Sequence, residues 1–111
     1  MPHNPALNEW NWYIVMLSQA LIGAISNNVR KISLQFTDDA WIIHTILANE
    51  STDDEEEMFE VADDLLTYID DVKNQISVQT YKKIAVKVSV SKKNLTVVTH
   101  DKERIIFKKK E

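Results

Sequence analysis

Apolar and polar positions repeat with two different periods along the chain, and these periods divide it into six elements. Apolar residues recur every three or four positions over residues 8–25 and 51–75, which predicts two helices. Four other stretches alternate with a period of two, which predicts strands over residues 29–36, 41–48, 81–91 and 104–109. Residues 95–99 form either a short additional strand or an extended loop. The predicted order is αββαββ.

The predicted strands each have one apolar and one polar side, which is typical of a sheet covered on one face. We therefore expect an α+β two-layer sandwich, with two helices packed on one face of a four-stranded, mostly antiparallel sheet. The second strand is ambiguous because both of its alternating sets contain apolar residues. We assign to the core Trp41, Ile43, Thr45 and Leu47. The uncovered face then carries Gln35, His44, Lys87 and Ser89.

The first helix places on its core side Trp10, Ile14, Leu17 and Leu21. Gly23 falls inside this predicted helix, where glycine costs about 1 kcal/mol relative to alanine, so we expect close packing there. Trp12 and Tyr13 lie beside the stripe and are candidates for an exposed aromatic anchor.

The second helix has an apolar stripe composed of Met58, Val61, Ala62, Leu65, Ile69, Val72 and Ile76. Thr52 with Glu55 three residues later forms a capping box, which predicts the start of the helix. In the last strand we expect Ile105 and Phe107 to point toward the core.

Length and composition favour a single domain over residues 1–111, with residues 1–7 as a flexible arm that contains Pro2 and Pro5. The absence of cysteine excludes disulfides and thiolate chemistry and fits a cytoplasmic location. No apolar run approaches the roughly 20 residues that cross a bilayer, and no positive charge precedes an apolar run at the start. We expect neither a membrane partner nor a secretory signal.

The net charge of −4 conceals a strong asymmetry along the chain. Residues 38–72 hold 13 acids and no lysine or arginine, whereas residues 73–111 hold 11 basic residues and three acids. Such a separation can steer an oppositely charged partner, or it can provide two solvated faces that keep the protein soluble. Charge alone does not decide between these interpretations.

The acids of the second helix alternate with its apolar stripe and therefore lie on the opposite side. Together with the turn before the second strand they give the candidate partner-binding residues, which are Asp53, Glu56, Glu57, Glu60, Asp63, Asp64, Asp70, Asp71, Asp38 and Asp39. A dense anionic surface suits the occlusion of a cationic cleft, because opposed fields accelerate encounter.

Other chemistries have little support in the sequence. A single glycine excludes the Gly-rich loops that cradle phosphates, so no cofactor is expected. Acids at a helix start fan out around the axis, so we expect no metal site. The histidines, His3, His44 and His100, show no catalytic spacing, and no enzyme activity is expected. The basic C-terminal third lacks a stacking platform of aromatic residues, so nucleic-acid binding is not expected.

Several segments carry a resemblance to a known family. The first segment is LIGAISNNVR at residues 21–30, and the next two are Ser33-Leu34 and Trp41-Ile42-Ile43. The last two are Glu50-Ser51, followed by the acidic start of the second helix, and the basic C-terminal strand with the final Glu111. The pattern resembles a family of small bacterial immunity proteins from contact-dependent growth inhibition systems. The chain departs from it at Asn27, where the family often has proline.

The resemblance implies a protein that binds and neutralises the toxic C-terminal domain of an exported effector, frequently a nuclease. Combined with the acidic helix, it favours an immunity protein that occludes a basic active-site cleft. A non-enzymatic adaptor or homodimer remains the alternative, with Trp12 and Tyr13 or the uncovered sheet face as its contact surface.

Overall fold

A computed structural model of the chain describes residues 7–37, 40–72, 83–93 and 103–109. Its elements are α1 (Leu7–Ala20), β1 (Val29–Thr37), β2 (Ala40–Leu47), α2 (Thr52–Val72), β3 (Lys83–Val90) and β4 (Glu103–Lys108). The predicted order αββαββ and the α+β class are confirmed. Of the arm predicted at residues 1–7, Leu7 is the first residue of α1 and residues 1–6 lie outside the described parts. Asp38 and Asp39, where a turn is predicted, and residues 95–99 also lie outside them.

The four strands form one mixed sheet in the order β3-β2-β1-β4. β1 is antiparallel to both of its neighbours, β2 and β4, whereas β2 and β3 run parallel. Parallel neighbours need a crossover connection, and α2 lies between these two strands in the chain. The β2-α2-β3 unit therefore explains why the sheet has one parallel pairing.

The facing of β2 is the predicted one. Trp41, Ile43, Thr45 and Leu47 are all fully buried. The intervening residues, His44 among them, are half-buried and belong to the other face. Residues paired directly across strands point to the same side, so Phe36 opposite Trp41 and Leu34 opposite Ile43 continue the apolar face into β1.

Aromatic rings from three elements meet at Trp41. The Tyr13 ring stacks on it with centroids 4.2 Å apart, and the rings of Trp10 and Phe36 each approach it edge-on at 4.9 Å. The Arg104 guanidinium lies 4.6 Å from the centroid of the Trp10 ring. This cluster attaches α1 to the sheet.

The expectation that Tyr13 is an exposed anchor is wrong, because Tyr13 has no exposed surface. The buried stripe of α1 is Trp10, Tyr13, Leu17 and Ala20. The flat Trp41 ring is the reason, since it offers Tyr13 a stacking surface that a helical pattern alone does not show. Burial, with the nearby Glu9 charge, raises the pKa of Tyr13 to about 12. Trp12 is half-buried and meets Tyr13 edge-on.

Helix α1 is shorter than predicted, and Gly23 lies outside it. The helix ends at Ala20, and Gly23 follows in a turn with φ of 80°. Nothing lies within 4 Å of the position that a Cβ would occupy, so the expected close packing is absent. Glycine is favoured here because it adopts the left-handed conformation that commonly ends helices.

Helix α2 begins with Ser51 as its cap, one residue before the predicted Thr52. The Ser51 Oγ accepts a hydrogen bond from the backbone N–H of Asp54 at 3.2 Å. The Ser51 carbonyl accepts the first helical bond from Glu55 at 3.1 Å. The predicted stripe is confirmed for its described side chains, since Met58, Val61, Ala62, Leu65 and Ile69 are buried.

A register shift in β4 reverses one predicted facing. Phe107 pairs with Ile32 and packs against the core as expected, but Ile105 pairs with Ser33 on the other face. The irregularity lies between Ile32 and Ser33, so Ile106 is the extra residue of a bulge. One extra residue reverses the facing of every position beyond it, which places Arg104 rather than Ile105 on the core side.

None of the helices in the described ranges is both long and apolar enough to span a membrane.

The identity of the α2 cap gives a first prediction. Ser51→Ala removes the hydroxyl that accepts the Asp54 N–H, and we expect it to lower the free energy of unfolding by about 1 kcal/mol. Thr52→Ala, at the neighbouring exposed position, is the matched control and should change it by less than about 0.5 kcal/mol. Urea denaturation of both variants measures the difference, and equal effects would contradict the Ser51 assignment.

The buried hydroxyl of Thr45 gives a second prediction. Thr45 has no exposed surface, and within the described residues its Oγ1 has no hydrogen-bond partner. Thr45→Val replaces this hydroxyl by a methyl group, and we expect a gain of about 1 kcal/mol in the free energy of unfolding. Thr45→Ser keeps the hydroxyl and deletes the methyl, so it should destabilise the protein in the same urea assay. A less stable valine variant would show that the hydroxyl is satisfied.

Candidate functional site

The outward side of α2 carries the predicted acids. Successive helical residues turn by about 100°, so these acids lie opposite the buried stripe of Met58, Val61 and Leu65. Five of them are exposed, namely Asp53, Glu56, Glu60, Asp63 and Asp64, and Glu57 is half-buried. The structure therefore brings these six carboxylates to one side of a single helix.

The other four candidates are less defined. The backbone of Asp70 and Asp71 continues α2, but their side chains are outside the description, and Asp38 and Asp39 lie outside it altogether. Whether the turn before β2 extends the acidic side of α2 stays a prediction.

Asp54, within the same acidic run, has a different environment. Its carboxylate accepts hydrogen bonds from Asn28 Nδ2 at 2.9 Å and from Ser26 Oγ at 2.8 Å. The Asn28 bond is the main cause that lowers the pKa of Asp54, with smaller contributions in the same direction from Ser26 and Ser51, against the opposing effect of burial. Asp54 therefore joins the start of α2 to the segment before β1.

Asn28 is the centre of that junction. Its side-chain amide donates to the Asn49 carbonyl at 2.7 Å and accepts from the Asn49 N–H at 2.8 Å. Its backbone carbonyl accepts from Ala48 N–H at 2.9 Å. One side chain thus holds the end of β2 and, through Asp54, the beginning of α2.

Arg30 makes a similar junction at the other strands. Its Nη1 donates to the carbonyls of Ser91 at 2.6 Å and Lys93 at 2.8 Å, just after β3. Its own carbonyl accepts from the Lys109 N–H at 2.9 Å, just after β4. The Lys109 ammonium in turn donates to the Asn27 carbonyl at 2.7 Å. Residues 27–30 therefore tie together the ends of several elements.

A second polar feature crosses the sheet on the face opposite Trp41. Glu103 on β4 accepts hydrogen bonds from Gln35 Nε2 on β1 and, at 3.4 Å, from Ser33 Oγ. Gln35 Nε2 lies 3.4 Å from His44 Nδ1 on β2, and His44 Nε2 lies 3.2 Å from Ser89 Oγ on β3. The predicted neighbours Gln35, His44 and Ser89 are thus brought together, with Glu103 as a partner that the sequence did not indicate.

This arrangement fixes the tautomer of His44. The Gln35 amide nitrogen donates one proton to Glu103 and faces His44 Nδ1 with the other, so Nδ1 is the acceptor. The remaining proton then lies on Nε2 and is donated to Ser89 Oγ. In this tautomer Nε2 already carries a proton and cannot accept one from the Ser89 hydroxyl. Ser89 and His44 are therefore not arranged as a nucleophile and its general base.

Charge and burial agree with a neutral His44. Burial is the largest cause that lowers its pKa below 6.5, the Lys87 and Lys31 charges act in the same direction, and the Glu103 charge opposes them. The face is also less open than predicted, because Ser33, Lys31 and Glu103 are buried. Among the described residues, no three histidine or acidic side chains cluster as ligands for a metal ion.

Comparison with known families decides the identity of the chain. The sequence model of the MafI2 immunity protein family matches residues 10–111, which is nearly the whole chain. The chain belongs to the MafI2 immunity protein family. No curated protein sequence matches it significantly. The family assignment confirms the resemblance to small bacterial toxin-immunity proteins.

Two further exposed residues of this MafI2 family member, Phe59 and Leu66, are not among the residues predicted from the sequence. Both belong to α2, and their side chains are 56% and 40% exposed. Their signal in the sequence is their angular position, about 80–100° away from Met58 around the helix, which separates them from the buried stripe. An apolar residue off the stripe of an amphipathic helix is more informative than one within it.

The His44 network of this MafI2 family member gives a third prediction. We expect an NMR titration to place the pKa of His44 below 6.5, and Lys87→Met to raise it, because the exposed Lys87 charge disfavours the imidazolium. The unfolded chain then binds more protons than the folded one between the folded pKa and about 6.5, so stability should fall as the pH decreases through that window.

His44→Gln is the control for the stability measurement. It keeps a polar side chain but does not titrate, so the loss of stability through that pH window should be smaller than in the wild type. A pKa of His44 at or above 6.5 would contradict the lowering by burial and by the Lys87 charge.

Proposed function

We propose that the chain binds the toxic C-terminal domain of a contact-dependent inhibition effector in the cytoplasm and neutralises it without catalysis. The acidic side of α2 is the contact surface, and the bound domain presents a basic cleft, as the active site of a nuclease does. Membership in an immunity protein family supports the toxin as the class of partner. The outward placement of six carboxylates on α2 is the observation that carries the choice of surface.

The proposal includes a two-layer arrangement in which both helices cover the Trp41 side of the sheet. The ring contacts of Trp10 and Tyr13 with Trp41 support this position for α1. For α2, support comes from Met58 and Leu65, which belong to the same buried cluster as Trp41. With its apolar side against that cluster, α2 directs its acids away from the sheet.

The carboxylates act mainly on the rate of association. An exposed ion pair contributes only about 0–1 kcal/mol, because water and salt screen it. The summed field of several acids on one helix instead attracts a basic surface over a distance of the order of the Debye length, about 10 Å at 0.1 M salt. The acids therefore orient the toxin domain as it approaches and disfavour partners with an acidic surface.

The alternative, an adaptor or homodimer, has less support. Of its predicted aromatic anchor, Tyr13 is buried under Trp41 and only Trp12 keeps some exposure. On the other face of the sheet, Ser33 and Glu103 are buried and bonded to each other. Both observations weaken the two contact surfaces on which this alternative depends.

Charge reversal on α2 tests the proposal. We expect Glu60→Lys and Asp64→Lys each to lower the association rate constant with the purified toxin domain by roughly three- to tenfold at low salt, and by less at high salt. The toxin domain is that of the effector encoded beside the gene for this chain. Stopped-flow or surface plasmon resonance measurements at two salt concentrations give the rate constants.

A variant with the same change of net charge is the control. Glu60→Lys changes the net charge by two units, from −1 to +1 at that position, and the double variant Asn11→Lys, Gln19→Lys also adds two positive charges, on exposed positions of α1. The control should reduce the rate much less, since it leaves every acid of α2 in place. Full protective affinity in both α2 variants would show that the acidic side is not the contact.

A further inference from the structure

Two large apolar side chains on α2 point into solvent. Phe59 is 56% exposed and Leu66 is 40% exposed, whereas the other aliphatic side chains that the structure describes on α2 beyond alanine, Met58, Val61, Leu65 and Ile69, are buried. They are seven residues apart, which corresponds to about two helical turns and places them on one line along the helix. Ala62 lies between them in the sequence, and its small buried side chain does not project from the helix surface.

Acids border this apolar line. Glu56 precedes Phe59 by three residues, and Asp63 follows Phe59 by four and precedes Leu66 by three, so both are neighbours on the helix surface. Both carboxylates are exposed. An apolar centre with a charged rim is the usual organisation of a protein interface.

We propose that Phe59 and Leu66 are the apolar anchor by which this chain holds a basic protein domain, with Phe59 entering an apolar pocket that lysine or arginine residues surround. This inference rests on the proposed function, because it takes the toxin domain as the occupant. It adds which side of α2 faces the toxin and which residues retain it.

Charge selects this occupant over a second copy of the chain. A two-fold homodimer would place the same patch against itself, so that Glu56 and Asp63 of one protomer would face the same carboxylates of the other. Like charges across an interface disfavour that pairing, whereas a basic rim on a different protein satisfies them. The chain itself contributes no compensating cation on α2, since residues 52–72 contain no lysine or arginine.

The anchor and the acids should affect different rate constants. The acids act over distance and change the association rate, while an apolar side chain in a desolvated pocket acts only after contact and changes the dissociation rate. Aromatic residues are frequent among the few side chains that carry most of the binding energy. Phe59 is therefore the residue whose removal should affect retention most.

The experiment measures the binding of Phe59→Ala and Leu66→Ala to the purified toxin domain by surface plasmon resonance at low and high salt. We expect Phe59→Ala to raise the dissociation rate constant by about tenfold or more at both salt concentrations, with the association rate constant little changed. Leu66→Ala should act in the same direction with a smaller effect. Both variants should remain folded, because alanine favours a helix at least as well as either residue, and any loss of thermal stability comes from the buried part of each side chain.

Ile22→Ala is the matched control, since Ile22 is 81% exposed in the turn after α1. Wild-type dissociation rates in both α2 variants, with toxin binding intact, would overturn the anchor and leave the proposed function standing. An equal increase for Ile22→Ala would also overturn it. A dimer that Phe59→Ala dissociates, seen by light scattering, would show that the occupant is a second copy. Absence of toxin binding by the wild type would overturn both proposals.

Discussion

Burial of one side of α2 is the constraint on which the rest of the molecule depends. Met58 and Leu65 belong to the buried hydrophobic core that also contains Trp41, and their burial fixes the rotation of the helix about its own axis. Because the acids lie about half a turn from that stripe, the same burial exposes them. Asp54 sets the position of the helix start through Asn28. The acidic side is thus oriented by apolar packing and by one polar junction, and no charge–charge contact is needed to present it.

The apolar pattern predicted those parts of the fold in which a single period decides the facing. The stripe of α2 is an example, since one helical period contains its buried side chains. In β2 both alternating sets contain apolar residues, and the set with the large Trp41 is the buried one. The apolar pattern predicted the wrong facing or the wrong boundary where a local feature such as a bulge or a cap changes the period. A bulge at Ile106 reversed Ile105, and the choice of Ser51 as cap moved the start of α2 by one residue. The stacking of Tyr13 depends on a ring from a distant strand, which no local pattern contains.

Two of the residues that carry the family resemblance, Asn28 and Arg30, hold the ends of secondary structure elements together. Asn28 bonds to the segment between β2 and α2, and Arg30 bonds to the segment after β3. Similarity at such positions therefore indicates the fold and the family, but it does not indicate which surface binds a toxin. The candidate acids could be predicted from sequence because charge and helical period suffice to place them. Phe59 has a weaker signal, its angular position beside the apolar stripe, and its degree of exposure depends on how α2 rotates against the core.

On a surface that combines acids with an exposed phenylalanine, different residues control the rate at which a complex forms and the lifetime of that complex. Water and salt screen much of the attraction between exposed charges. Such charges therefore contribute less to the lifetime of a complex than to the rate of its formation. A phenyl ring gains its free energy on leaving water, a gain that salt does not screen. An inhibitor of a toxin inside its own producing cell needs both properties, since free toxin acts until it is bound and again after it dissociates. In the proposed complex, Phe59 would supply retention and the neighbouring Glu56 and Asp63 would supply fast association, all from one helix.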